Sequence, residues 1–440
     1  MIIKFSITNF KTFRNKAELS FIASNYDKTR EAENIYTCES FGLNVLKSGV
    51  LYGANASGKS KLMDALLFMR NFVLSSSLES QKGEPINVEP FLLSTESNNK
   101  PSEFEIIFIH RKQLFRYGFE VDKEKVISEW LYYRPLKREI ELFIRDGQNF
   151  SVHERKFGKG YKLAKEKMIR ENALLISVAS QFNEEIAGLV IDWFKRLKVI
   201  SALESQGYKP YTVSILKNGA KKFKILDLLQ KADLSISDII LEPINIAHLP
   251  KVIQGNLKDL VLQKIEKEKA EFYALNTVHN VFDDGGSIVD KEIFDMEKDE
   301  SSGTNQFFAL AGPIIDVIEN GYVLVVDELD SKLHPNLVLK IIEIFNSSEL
   351  NPKNAQLLFN THDTNLLSAD IFRRDQVWFV EKDLFGASKL YSLSDFKEVR
   401  KEENFENNYI NGKYGAIPVL NDFEPLHNSQ DNTIVNHDRK

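Results

Sequence analysis

The sequence predicts an α/β fold, a mixed β-sheet lobe beside a core of buried strands and helices, with a helical insertion between its two halves. Three observations predict it. An apolar strand, "GVLYG", runs into a glycine-bearing turn and then a helical pattern. A second apolar run, "YVLVVDELD", ends in paired carboxylates. Period-two alternation fills the first part of the chain, whereas the middle is written in helical periods.

The elements follow in order. "IIKFSITNFKTF" and "KAELSFIA" alternate like strands about a turn-rich link and predict an antiparallel pair. In "KSKLMDALLFMRNFVL", Leu62, Leu66, Met69 and Val73 recur at helical spacing. "SEFEIIFIH" and "LFRYGFEV" predict a hairpin, and "ISEWLYYRP" and "EIELFIR" further strands. Helical patterns then appear in "ENALLISVASQFNEEIAGLVIDWFKRL", "KKFKILDLLQKAD" and "NLKDLVLQKIEKEKAEFYAL". Strands resume near "LNTVHNVF", and "AQLLFNTHD" and "DQVWFVEKD" are later ones. The expected division is 1–134, an N-terminal half carrying the glycine turn, 135–270, a mainly helical insertion or lid, 271–423, a C-terminal half, and 424–440, a polar tail.

Composition excludes several classes. The 440 residues suffice for two or three domains, and 43% hydrophobic content can bury a core. The single cysteine, Cys38, rules out an intrachain disulfide or a cysteine-based zinc cluster and suits a reducing cytoplasm, the expected location. No signal-peptide pattern opens the chain. No apolar run approaches the roughly 20 residues that span a bilayer, so no membrane partner is expected. A formal charge of −6 argues against coating nucleic acid with the whole surface, while leaving a local basic patch open.

Four stretches carry chemistry. The first, "GANASGKS", has the spacing G-x-x-x-x-G-K-S between a strand and a helix. Such a turn aims backbone N–H groups at a phosphate chain, and the helix adds its positive end. Gly53, Asn55, Ala56, Ser57, Gly58, Lys59, Ser60 and Lys61 are therefore the candidate nucleotide-binding residues, with ATP and Mg²⁺ as the expected ligands. Lys59 would reach the β- and γ-phosphates and the Ser60 hydroxyl would ligate Mg²⁺. The second stretch ends in Asp327 and Glu328 at a strand tip, where α/β sheets bind ligands. Asp327 would hold the metal through water, and Glu328 would be the general base. The third, "ESSGTNQFFAL", places Gly303 24 residues before Asp327 and also reads as a helix N-cap. The fourth, "LLFNTHD", brings His362 to a strand tip 35 residues past Asp327, as a candidate γ-phosphate contact.

In this order the four stretches resemble ABC-type ATPase heads, and in particular the branch of RecF, Rad and SMC-type heads. The resemblance makes Ser301, Ser302 and Gly303 the signature that completes the nucleotide site of a second copy. Ser302 and Thr304 depart from the family pattern LSGGQ. Within "DELDSKLHP" it gives Asp330 the D-loop position, and it makes His362 the switch histidine. A glutamine for the Q-loop is missing from "INVEPFLL". A narrower resemblance, carried by "ESSGT", "DELDSKLHP" and "NYINGKYGAIPVL", is to stand-alone bacterial ATPases of phage-defence operons, RloA-like and PARIS-type. It implies a sensor or scaffold in abortive infection that controls a separately encoded effector, such as a Toprim-type nuclease. The alternative is a DNA-repair or recombination ATPase of the RecF/SMC kind.

One loop and one signature per chain imply self-association with ATP between two heads, a switch that hydrolysis releases. From Arg134 to Arg170 eleven basic residues stand against five acidic ones. That run is either a solvated face or a track for a phosphate backbone. The apolar face of Leu175, Phe182, Ile186, Leu189, Trp193 and Leu197 is read as local core or as a docking surface. A nuclease of its own is not expected, because only 78 residues follow His362.

Overall fold

The computed structural model describes residues 1–78, 81–232, 234–243, 273–397 and 403–418. The expected helix "NLKDLVLQKIEKEKAEFYAL" and the expected polar tail lie outside the described residues, apart from the last few residues of the former.

Alternating apolar residues in the N-terminal third build a seven-stranded antiparallel sheet. Its strands are β1 (Ile2–Thr8), β2 (Ala17–Ser20), β6 (Ser102–His110), β7 (Gln113–Val121), β8 (Val126–Arg134), β9 (Ile140–Asp146) and β10 (Asn149–Val152). Their order is β10-β9-β8-β7-β6-β1-β2. Strand β6 shows the alternation directly, with every second residue buried. A small hairpin of β3 (Ile35–Cys38) and β4 (Leu43–Leu46) follows the short helix α1 (Glu31–Asn34).

The continuous apolar runs behave differently. They form a six-stranded sheet, β11-β15-β16-β5-β17-β18, from β5 (Ser48–Tyr52), β11 (Leu197–Ser201), β15 (Val323–Asp327), β16 (Gln356–Asn360), β17 (Val377–Lys382) and β18 (Ser388–Ser392). All neighbours are parallel except the β17–β18 pair. Both faces of this sheet are covered, which is why its strands carry no polar alternation. Val323 and Val325 join one apolar core; Leu324 and Val326 join the other.

Helix α2 (Lys59–Ser75) fills the space between the two sheets. Leu62, Met63, Leu66, Met69 and Val73 are all buried there, each contributing about 1.5–3 kcal/mol of apolar burial. On the opposite face of the parallel sheet lie α8 (Ser302–Asn320) and α9 (Pro335–Asn346). Helices α6 (Ser205–Leu216) and α7 (Gly219–Lys231) pack on α8. A third sheet joins β12 (Ile236–Pro243), β13 (Tyr273–Phe282) and β14 (Ile288–Asp295). Helix α10 (Phe405–Ile410) closes the described chain.

The segment 135–270, expected as a mainly helical insertion, is rich in helix among its described residues but also supplies strands to the two large sheets. Strands β9 and β10 continue the antiparallel sheet, and β11 is the edge strand of the parallel one. Between them run the short helices α3 (Gly158–Lys165), α4 (Leu175–Gln181) and α5 (Glu185–Arg196). The long helix expected over 171–197 is broken between α4 and α5, where Asn183 takes a positive φ of 59°. Its apolar face is core rather than docking surface at Leu175, Trp193 and Leu197, whereas Phe182 is exposed.

A buried polar network ties this segment to the sheet. Glu129 on β8 accepts the backbone N–H groups of Leu175 (2.6 Å) and Ile176 (3.0 Å), at the start of α4. Arg145 on β9 lies 3.7 Å from Glu129 and donates to the Ala173 carbonyl at 2.6 Å. Both side chains are fully buried. Burial raises the Glu129 carboxyl above its ordinary pKa, and Arg145 with the two N–H groups pulls the other way.

Candidate active site

The parallel strands β15, β16 and β5 end at one edge of their sheet, and the sequence motifs sit at those ends. Every residue of β5 is buried, so its direction is fixed before the chain turns. Gly53 leaves the strand at φ 154°, where a Cβ would stand 2.3 Å from the Val380 carbonyl oxygen. Gly58 has φ 117°, and a Cβ there would meet the Ser388 hydroxyl at 2.4 Å. Only glycine fits either place. Ala56, between them, also has a positive φ, 60°.

Helix α2 begins directly after Gly58, with no acidic residue in its first turn. The N–H groups of a first helical turn lack partners within the helix, so this end attracts an anion. Lys59 is buried, and its ammonium bonds the loop's own carbonyls, Gly53 (2.7 Å) and Ala54 (3.2 Å). Burial lowers its pKa, and Glu328, Asp327 and Asp330 oppose that shift. Three carboxylates from the far-apart "DELD" stretch thus stand within electrostatic reach of the loop lysine. The Ser57 hydroxyl is buried without a hydrogen-bond partner.

Asp327 closes β15, and Glu328 turns away from it at φ 57°. A non-glycine residue in that region is strained and needs its surroundings to hold it. Asn360, the last residue of the adjacent β16, supplies the hold. Its amide nitrogen donates to Asp327 Oδ1 at 2.5 Å, and its amide oxygen accepts the Glu328 N–H. Its backbone carbonyl accepts the Leu329 N–H at 3.2 Å. Asn360 was not singled out from the sequence. The signal was present, an amide at the end of the apolar "QLLF" run beside the carboxylate strand.

Asp330 accepts the His362 backbone N–H at 3.2 Å through Oδ2, while its Oδ1 is buried without a donor. The His362 side chain itself is exposed. Ser301 caps α8, its hydroxyl accepting the Thr304 N–H at 3.0 Å. Ser301 and Ser302 are exposed. Gly303 lies against the Asp330–Lys332 turn; a Cβ on it would be 2.9 Å from the Lys332 carbonyl oxygen. None of the hydrogen bonds of Ser301 reaches residues 53–61. The structure therefore gathers the loop, Asp327, Glu328, Asp330 and the His362 backbone, and leaves Ser301 and Ser302 facing outward.

A strand–loop–helix with a buried lysine at the helix start, opposed by carboxylates at neighbouring strand ends, is the layout of a nucleoside-triphosphatase core. A family model described as "AAA domain, putative AbiEii toxin, Type IV TA system" matches residues 50–368. The chain belongs to this family. The matched region runs from β5 past His362. No curated protein matches the sequence. Among solved structures, the SMC head domain from Thermotoga maritima is similar at 13% identity, with a TM-score of 0.40, over 89% of this chain and 98% of that one.

The donor set fits a magnesium–nucleotide. Gly53–Lys61 offer N–H groups and the Lys59 ammonium to phosphates, and Ser60 and Asp327 offer the hard oxygens that Mg²⁺ takes. Asn360 occupies one oxygen of Asp327.

Proposed function

We propose that this chain binds ATP with Mg²⁺ and hydrolyses it, as an ABC-type head that works in pairs. The observation that carries the reading is the convergence of Lys59 with Asp327, Glu328 and Asp330 at one sheet edge. Lys59 exchanges its carbonyl partners for phosphate oxygens, and the first turn of α2 holds the same anion. Ser60 and Asp327 hold the metal, which supplies charge neutralisation on the phosphates. Glu328, positioned through Asn360, takes the proton of the attacking water. His362 contacts the terminal phosphate after its side chain turns inward.

Ser301, Ser302 and Gly303 serve the loop of a second copy. Their outward position and the unpartnered Asp330 oxygen support that role. Two copies joined through nucleotide form a switch, since ATP favours the closed pair and hydrolysis releases it. In the cell the switch acts in the cytoplasm as a sensor or scaffold of abortive infection, controlling a separately encoded effector such as a Toprim-type nuclease. The toxin–antitoxin wording of the family description supports this setting. The alternative, a DNA-binding repair ATPase, is favoured by the lysines of α3.

The test is sedimentation of the Glu328→Gln variant with and without Mg-ATP. The expected result is a nucleotide-dependent dimer or a multiple of it, with turnover reduced by a factor on the order of 10²–10⁴. Normal turnover would remove Glu328 from its role. Tight duplex-DNA binding with a steep salt slope would move the assignment to repair.

A further inference from the structure

The region beyond the family match does more than finish the sheet. Described residues beyond the match flank the phosphate loop at both ends. At its start, the ring of Tyr409 on α10 packs on Tyr52, the residue before Gly53. The Tyr409 hydroxyl donates to the Ala416 carbonyl at 3.1 Å. At its end, the Ser388 hydroxyl on β18 donates to the Ser57 carbonyl at 2.5 Å, and the Ser388 N–H donates to the Thr12 carbonyl at 2.7 Å. Ser388 is therefore the link between the β1–β2 turn and the loop. It also occupies the space that a side chain at position 58 would need.

The same segment reaches the His362 loop. Thr364 donates to Glu406 at 3.0 Å, and the Tyr52 hydroxyl donates to the Asp363 carbonyl at 3.0 Å. Tyr52 and Phe379 both pack on the Tyr409 ring, with centroids 5.6 Å and 5.4 Å away. The support is thus anchored in the apolar core. A loop whose backbone takes three positive φ angles, at Gly53, Ala56 and Gly58, is not held by local propensity alone. Its N–H groups must be aimed by something outside it, and binding is cheaper when that ordering precedes the ligand.

We infer that Ser388 is a positioning residue for nucleotide binding, fixing the end of the phosphate loop through its hydroxyl. The inference rests on the nucleotide reading above. It also makes β18, beyond residue 368, part of the binding apparatus.

The experiment compares Ser388→Ala and Tyr414→Phe in the full chain, measuring Mg-ATP affinity, KM and kcat, and the melting temperature without nucleotide. Tyr414 is the control, because its hydroxyl bonds Asn408 at 3.0 Å within the same segment and is not bonded to the loop. The expected result is a rise of about tenfold in Kd and KM for Ser388→Ala, as for loss of a hydrogen bond of about 1.4 kcal/mol. Its kcat at saturation should stay within about twofold, and Tyr414→Phe should keep wild-type affinity. Unchanged KM in Ser388→Ala overturns the inference while leaving the nucleotide reading intact. An equal KM rise in Tyr414→Phe also overturns it, as a merely structural effect. Absence of Mg-ATP binding by the wild-type chain overturns the nucleotide reading itself, and the inference with it.

Discussion

The phosphate loop and the signature segment are both strand-or-turn-to-helix junctions, yet they are finished to different degrees. At the loop, Lys59 is buried, the glycines are packed against Val380 and Ser388, and carboxylates oppose the ammonium. At the signature, Ser301 does no more than cap α8, and it and Ser302 face solvent. The difference teaches that one junction is packed and bonded within the chain while the other leaves its hydroxyls exposed. Substitutions at the two junctions should therefore fail in different ways.

The largest effect is expected at the complete junction. Lys59→Ala removes the ammonium bonded to the loop carbonyls, the cation that Asp327, Glu328 and Asp330 oppose electrostatically. Loss of a charge-assisted interaction of about 3 kcal/mol weakens nucleotide binding on the order of 100-fold. Isothermal titration with Mg-ATP would measure it. Binding within a few-fold of wild type would mean that the lysine keeps its loop contacts and does not meet phosphate.

A second test falls between the junctions, at Asn360→Leu. This variant strips both side-chain bonds that pin Asp327 and the Glu328 turn. With Glu328 at φ 57°, the turn loses its external hold. The expected outcome is a fall in kcat of about tenfold or more, as for losing about 1–3 kcal/mol of positioning. Nucleotide affinity should move much less, because Lys59 and the α2 terminus are untouched. A KM-dominated loss would instead tie Asn360 to binding.

What the sequence disclosed follows the same division. The loop, the Asp327–Glu328 strand end and the pairing of β1 with β2 were legible because each is set by neighbours in the chain. A glycine turn between a strand and a helix, or an apolar run closed by carboxylates, carries its own geometry. Asn360 was not legible as a partner of Asp327, since only the parallel pairing of β15 with β16 brings the two together. Strand β9 was legible in "EIELFIR", but β10, inside the lysine-rich run, and β11, at the end of a helical pattern, were not. Placing β11 beside β15 needs contacts across more than a hundred residues. Glu129 and Arg145 show the same limit: each reads as a surface charge, and only the fold buries them against one another.

The smallest effect is expected at the unfinished junction. Ser301→Ala deletes the α8 cap, costing about 1 kcal/mol of stability, a few degrees in melting temperature at most. Within one chain nothing else depends on that hydroxyl except Thr304, which shares its bond. If the signature serves a second copy, however, the variant should keep wild-type Mg-ATP affinity as a dilute monomer. Its turnover should still fall, by about tenfold, at concentrations where the wild type pairs. Measuring specific activity against protein concentration separates the two roles. A rate that drops equally at every concentration, in step with the melting temperature, would make Ser301 a helix cap only. A rate lost only where pairing occurs would show that the outward-facing serine completes a neighbour's cradle, because a cap defect acts inside each molecule and cannot depend on how many others are present.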